Sequence, residues 1–151
     1  MVYDHGSITS YYPYWITDEA GARMKNPKFN RESGFILDIK DNGRNVNAAM
    51  SEFLPRLLAK IKKDAAGSVQ IVATIPGHVA GSASHALVDL IKTIAARLQS
   101  KPLPYLLRRT KTIDKLAHGG NRSISVHYES LEVTNHLEIA GKSILLADDV
   151  S

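Results

Sequence analysis

The chain contains no cysteine, which removes disulfide scaffolding, thiolate nucleophiles and thiolate metal sites together. It has no apolar run near the ~20 residues that a membrane helix needs, so a membrane is not an expected partner. The first residues, M-V-Y-D-H-G-S, lack the basic and apolar regions of a secretory signal, which fits a cytoplasmic address. Six histidines are present without metal-ligand spacing, and no zinc site is expected. Small residues follow one strand, but there is no Walker lysine and the glycines do not match the dinucleotide fingerprint.

What is present suits one globular domain. The 151 residues are 44% hydrophobic and 23% charged, enough for one core and too few for two domains of ordinary size. The net charge of +4 hides a division along the chain. Lys101, Arg108, Arg109, Lys111, Lys115 and Arg122 face only Asp114 in the stretch 101–122. From Ser123 onward, Glu129, Glu132, Glu138, Asp148 and Asp149 outnumber Lys142. A basic segment followed by an acidic strand end suits a ligand carrying phosphates, with a divalent cation, better than it suits nucleic acid. The alternative is that both runs are simply solvated surface.

In chain order, the first thirty residues read as irregular, with an aromatic cluster at Tyr11, Tyr12, Pro13, Tyr14 and Trp15. No basic residue interleaves with that cluster, so core packing is expected of it rather than stacking on nucleic acid. Phe35 to Ile39 alternates towards Asp41-Asn42-Gly43 and reads as a strand entering a turn. Met50, Phe53, Leu54, Leu57, Leu58 and Ile61 recur at helical spacing. Pro55 leaves two starts open, near Ser51 with the proline in the first turn or near Asn47 with a kink, and Gly67-Ser68 should end the helix.

Val69 to Ile75 reads as a strand, and Ala83, Leu87, Leu90, Ile91, Ile94 and Leu98 as the buried face of a second helix capped by Ser82 or Ser84. Between them lies Pro76-Gly77-His78-Val79-Ala80-Gly81. A strand, a small-residue loop and a helix N-terminus can hold an anion, although a plain connection needs the same residues. Leu103 to Leu107 reads as a short strand, 107–122 as a polar functional loop, and Ser123 to Val126, or on to Tyr128, as another strand. Ile144 to Ala147 has the pattern of a strand buried on both faces, as in a parallel sheet. Asp148 and Asp149 follow at its carboxyl end, where ligands bind in open α/β sheets.

The order of these pieces, ending in G-K-S-I-L-L-A-D-D-V at 141–150 and including L-R-R-T-K-T at 107–112, resembles the type I phosphoribosyltransferases, most closely their ComF-like branch. The resemblance spans roughly the last 85 residues. It implies an α/β fold of three layers around a mostly parallel sheet, in one domain over 1–151, with 1–33 as irregular cover and 34–151 as core. It implies that Asp148 and Asp149 hold the ribose hydroxyls of phosphoribosyl pyrophosphate (PRPP) and bear indirectly on the metal. Pro76, Gly77, His78, Val79, Ala80 and Gly81 would form the pyrophosphate loop, and Arg108, Arg109 and Lys111 would close over the site, with Arg109 and the aspartates counted as catalytic. Mg²⁺ would bridge the pyrophosphate.

Two departures qualify the expectation. The loop 77–81 lacks the basic residues that the ComF-like branch places there, and the sequence stops before the family's threonine- and glycine-rich 5′-phosphate loop and its later strands and helix. The reading is therefore a PRPP-binding, phosphoribosyltransferase-like protein, impaired as it stands. The alternative is a non-catalytic interaction module. Either way, a homo-oligomer or partner protein would cover the edge of the final strand, and nucleic acid is not an expected partner.

Overall fold

The computed structural model describes residues 6–65, 69–81, 83–114 and 123–148, and these divide into two compact units, one up to residue 65 and one from 69 onward. The expected helix stop at Gly67-Ser68, the possible cap Ser82, the basic residues Lys115 and Arg122, and Asp149 lie outside the described residues.

The first unit begins with a hairpin, in a stretch read as irregular apart from a possible short strand at the aromatic cluster. Strand β1 (Trp15–Thr17) pairs antiparallel with β2 (Arg23–Lys25), Trp15 opposite Lys25. The turn is held by Asp18, whose carboxylate accepts the amides of Ala20 at 3.0 Å and Ala22 at 2.7 Å. Gly21 takes φ +83°, a backbone region that L side chains rarely adopt.

Phe35 to Ile39 is helical, a correction to the strand reading. Helix α1 (Arg31–Asp41) starts at Asn30, whose side chain accepts the Ser33 amide at 2.8 Å, and ends at Asn42 in the left-handed conformation. Phe35, Ile36 and Ile39 are buried, the i, i+1, i+4 spacing of one helix face, whereas alternation would turn Ile36 away from the other two. Helix α2 (Val46–Asp64) packs against α1 and sets Phe53 edge-on to Phe35, with ring centroids 6.2 Å apart. It starts at Val46, which matches the earlier of the two expected starts, near Asn47, and Pro55 lies in its interior, where the proline cannot donate to the carbonyl of Ser51.

The second unit is mixed α/β around a small parallel sheet. Strand β3 (Ile71–Thr74) is central and fully buried, with β4 (Lys101–Pro102) on one side and β7 (Ile144–Ala147) on the other, both parallel to it. Parallel neighbours require a crossover, supplied between β3 and β4 by α3 (His85–Leu98), which packs on β3 through a face that includes Leu87, Leu90, Ile91 and Ile94. Ser84 is the N-cap, accepting the Leu87 amide.

Leu103 to Leu106 is a connection rather than a strand, and β5 (Leu107–Arg109) starts only after it. Ser123 to Tyr128 is likewise not a strand. Ser123 caps the short helix α4 (Ile124–Glu129), which leads into β6 (Leu131–Val133), the antiparallel partner of β5. A single turn, α5 (His136–Ile139), precedes β7. Ile71 and Ala73, which share one face of β3, cluster with Leu106, Leu103, Val133 and Ile139.

Strand β7 corrects a further expectation, that of burial on both faces. Ile144 and Leu146 are 36% and 45% exposed, so one face is open while Leu145 and Ala147 are half-buried. Among the described residues no helix is long and apolar enough to cross a membrane.

Candidate functional site at the carboxyl end of the parallel strands

Three segments meet where β3 and β7 end. Thr74 pairs with Ala147 in the parallel register, and the Ile75 amide donates to the Ala147 carbonyl at 2.9 Å. Asp148 therefore emerges beside the first residues of the loop 75–81. The third segment is β5 and its continuation, which run alongside that loop. The Gly81 amide donates to the Arg109 carbonyl at 3.2 Å, the Ala80 amide to Thr112 Oγ1 at 3.0 Å, and the Ile113 amide to the His78 carbonyl at 2.9 Å. Gly81 has φ +67°, so a side chain there would strain the turn that makes these contacts.

The two adjacent arginines point apart, as neighbours on a strand must. Arg108 is exposed and pairs with Glu132 across the β5–β6 ladder at 2.7 Å. Arg109 shares the inner face with Leu107 and is only 5% exposed. Its Nε donates to the Gly77 carbonyl at 2.5 Å and its Nη1 to Ser130 Oγ, itself buried between β6 and α4. Among the described residues it has no carboxylate partner. Burial pushes its pKa below the ordinary guanidinium value, but a guanidinium stays protonated at neutral pH. A buried cation lacking a counter-charge is energetically costly and is an uncommon thing to place beside a cleft.

That cleft is small, about 110 Å³, with Thr74, Pro76 and Gly81 on one side and Tyr105, Arg108 and Arg109 on the other. Thr74 is fixed by donating to the Pro104 carbonyl at 2.6 Å. The geometry thus brings Pro76, Gly81, Arg108 and Arg109 to one place and leaves Asp148 next to it, at the strand end. It does not bring everything. Lys111, Val79 and Asp148 are exposed and do not line the cleft. The amides of Ala80 and Gly81, expected to cradle phosphate, are already held by Thr112 and Arg109. Those of Gly77 and Val79 meet no acceptor among the described residues.

Ser130, Tyr105 and Glu132 were not singled out from the sequence. For Arg109 and Ser130 a signal did exist in part: in Leu107-Arg108-Arg109, an inward leucine requires an inward second arginine, and a buried arginine requires acceptors. Among the described residues no three His, Asp or Glu side chains gather as a cation cage. Neither a family model, nor a curated protein, nor a solved structure matches the chain.

Proposed function

We propose that the carboxyl end of the parallel strands binds the pyrophosphate end of PRPP, and that the protein is a phosphoribosyltransferase-like PRPP binder. The observation that carries this reading is Arg109, a buried guanidinium whose partners among the described residues are all neutral, set in the wall of a cleft where the loop after β3 and the end of β7 also arrive. A phosphate oxygen supplies the missing negative charge and accepts charge-assisted hydrogen bonds. Ligand pockets commonly measure ~300–1,000 Å³, so a cleft of about 110 Å³ suits a phosphate group or two rather than the whole molecule.

The family resemblance assigns Asp148 and Asp149 to the ribose hydroxyls. Asp148, beside Ile75, is within the same neighbourhood as the loop. Mg²⁺ would enter with the ligand, because this ion keeps several waters and binds through one or two carboxylates plus substrate phosphates rather than through an all-protein cage. The donors here, one described carboxylate beside the cleft, fit that mode. In the transfer reaction, a nucleophile bonds to the anomeric carbon as the carbon–oxygen bond to pyrophosphate breaks, and a cation beside the departing oxygens stabilises the charge they gain.

Titration calorimetry with PRPP and Mg²⁺ tests the proposal. Saturable heat that is reproduced by Mg²⁺-pyrophosphate and lost in Arg109→Met supports it. No heat at millimolar PRPP with a folded protein overturns it.

One observation favours the interaction-module reading, in which a homo-oligomer or partner protein completes the sheet. Strand β7 is last in the order β4-β3-β7 and exposes Ile144 and Leu146, and an apolar edge strand is a template for another strand. Light scattering separates the two, since a monomer at high concentration that still binds PRPP leaves the edge without this role.

A further inference from the structure

The β1–β2 hairpin builds a surface that chain order conceals. Trp15 and Lys25 are direct cross-strand partners and Arg23 lies diagonally beside them, so all three share one face of the ribbon. The Arg23 guanidinium sits 4.7 Å from the indole centroid, and Lys25 Nζ 5.3 Å from the ring of Tyr14. The expectation that these aromatics serve core packing fails for two of them. Trp15 remains 47% exposed and Tyr14 37%. The reason given from sequence, that no basic residue interleaves with the cluster, fails as well, because the hairpin delivers the basic residues from the opposite strand.

The second strand of the hairpin and the residues after it are basic. Arg23, Lys25, Lys28 and Arg31 fall within nine residues that contain no acid. The flanking acids are engaged: Glu32, which follows Arg31, pairs with Arg56 and accepts from Thr9, and on the other side Asp18 and Glu19 sit in the turn, where the Asp18 carboxylate accepts two backbone amides.

We infer that this hairpin face is a binding surface for single-stranded nucleic acid, with Trp15 stacking on an unpaired base and Arg23 and Lys25 contacting the flanking phosphates. Base–aromatic stacking is sequence-tolerant because every base has a π-face, and cations beside the ring supply the backbone contacts. The Tyr14 and Trp15 rings meet at 80°, so one offers a face where the other offers an edge. The hairpin accordingly seats one base, not a run. A duplex keeps its base faces covered and is disfavoured. An acidic peptide would use the cations but gain nothing from the indole.

Trp15 is the only tryptophan in the chain, so its fluorescence reports this surface directly. Oligothymidylate of about 12 nucleotides, titrated into the full chain at low salt, is expected to quench it saturably. The plot of log affinity against log salt should have a slope of about −1.4, two phosphates at ~0.7 each. Arg23→Ala with Lys25→Ala should flatten that slope. Trp15→Leu should lower affinity roughly 5- to 150-fold, read by anisotropy of a labelled strand. All three side chains are exposed, so the variants should keep the native circular dichroism spectrum. Absence of quenching at roughly 100 μM strand, equal quenching by polyglutamate, by the matching duplex or by phosphatidylserine vesicles, or an unchanged slope in the double variant would each overturn the assignment.

Discussion

Each of the two units uses an arginine to pin a distant segment, and the two arginines differ in one respect. In the first unit Arg56 donates Nη1 to Glu32 at 2.6 Å and Nη2 to the Ile8 carbonyl at 2.6 Å, tying the stretch before β1 to α1 and α2. In the second, Arg109 donates to the Gly77 carbonyl and to Ser130 Oγ, tying the loop after β3 to the β5–β6 ladder. Arg56 has a carboxylate and keeps about a third of its side chain in water. Arg109 has neither. A compensated charge at the surface is a structural strap, whereas an uncompensated one walled into a cleft is a strap with unused capacity for an anion.

The largest effect should come from removing that capacity. Arg109→Met keeps the length of the side chain and loses the charge, so Mg²⁺-pyrophosphate affinity should fall by roughly 10- to 150-fold, the worth of a hydrogen bond to a charged group. Stability should change much less, because lost hydrogen bonds are offset by relief of an uncompensated buried cation. Arg109→Lys should recover part of the affinity, since it restores charge without the planar fork. Calorimetry beside thermal melts separates the two readouts, and a variant that melts early but binds normally would make Arg109 a strap like Arg56.

Arg56→Ala is the converse. It removes a partly exposed ion pair and a bond to a backbone carbonyl, and should cost about 1–2 kcal/mol in urea unfolding of the first unit. Pyrophosphate affinity should not move.

How far this contrast was legible in sequence depends on whether the deciding contacts are local. Strand β3 was legible as a short run of apolar and β-branched residues, and helix α3 because its apolar residues recur at a period of 3.6 with Ser84 where a cap is needed. Helix α1 was misread because Phe35 and Ile39 fit alternation as well as a helix; the apolar Ile36 beside Phe35, and the Asn30 cap three residues before Ser33, were the better signals. Helix α4 was misread because its apolar residues, Ile124 and Tyr128, are exposed, so its pattern carries no record of a core. The site was legible as the loop after β3, the end of β7 and the basic stretch 107–122, which was read as a loop and not as the strand β5 that its first residues form. The cationic face on Trp15 was not, because Arg23 reaches it only through hairpin register. The ties from Ala80 and Gly81 to Thr112 and Arg109 span about thirty residues and have no local signature.

The pH dependence of the first strap offers a smaller test. A hydrogen bond from Thr9, and then one from Arg56, hold the Glu32 carboxyl below its ordinary value of 4.5. A depressed carboxylate binds fewer protons folded than unfolded, so its contribution is fully present above the unfolded value of 4.5. It drains away as pH falls from there through the lowered folded value. Glu32→Gln should therefore flatten the acid limb of the stability curve below that pH, and leave neutral-pH pyrophosphate binding unchanged. A limb that stays as steep in the variant would assign the dependence to other carboxylates.

The smallest effect lies at the mouth of the cleft. Arg108 pairs with Glu132 across the ladder, both side chains about half exposed, and surface pairs of this kind contribute about 0–1 kcal/mol. Neither Arg108→Ala nor Glu132→Gln should shift the melting curve measurably. Binding is a different matter, because Glu132 competes with any incoming phosphate for the same guanidinium. Glu132→Gln keeps the shape of the side chain and removes the competing charge, so Mg²⁺-pyrophosphate affinity should rise by roughly two- to fivefold, the equivalent of losing one screened surface pair. The gain should shrink at high salt, where exposed charges are screened over about 10 Å or less. A loss of affinity in Glu132→Gln would mean that the pair orients Arg108 towards the ligand, and the cation that matters at the rim would then be one held in place rather than one set free.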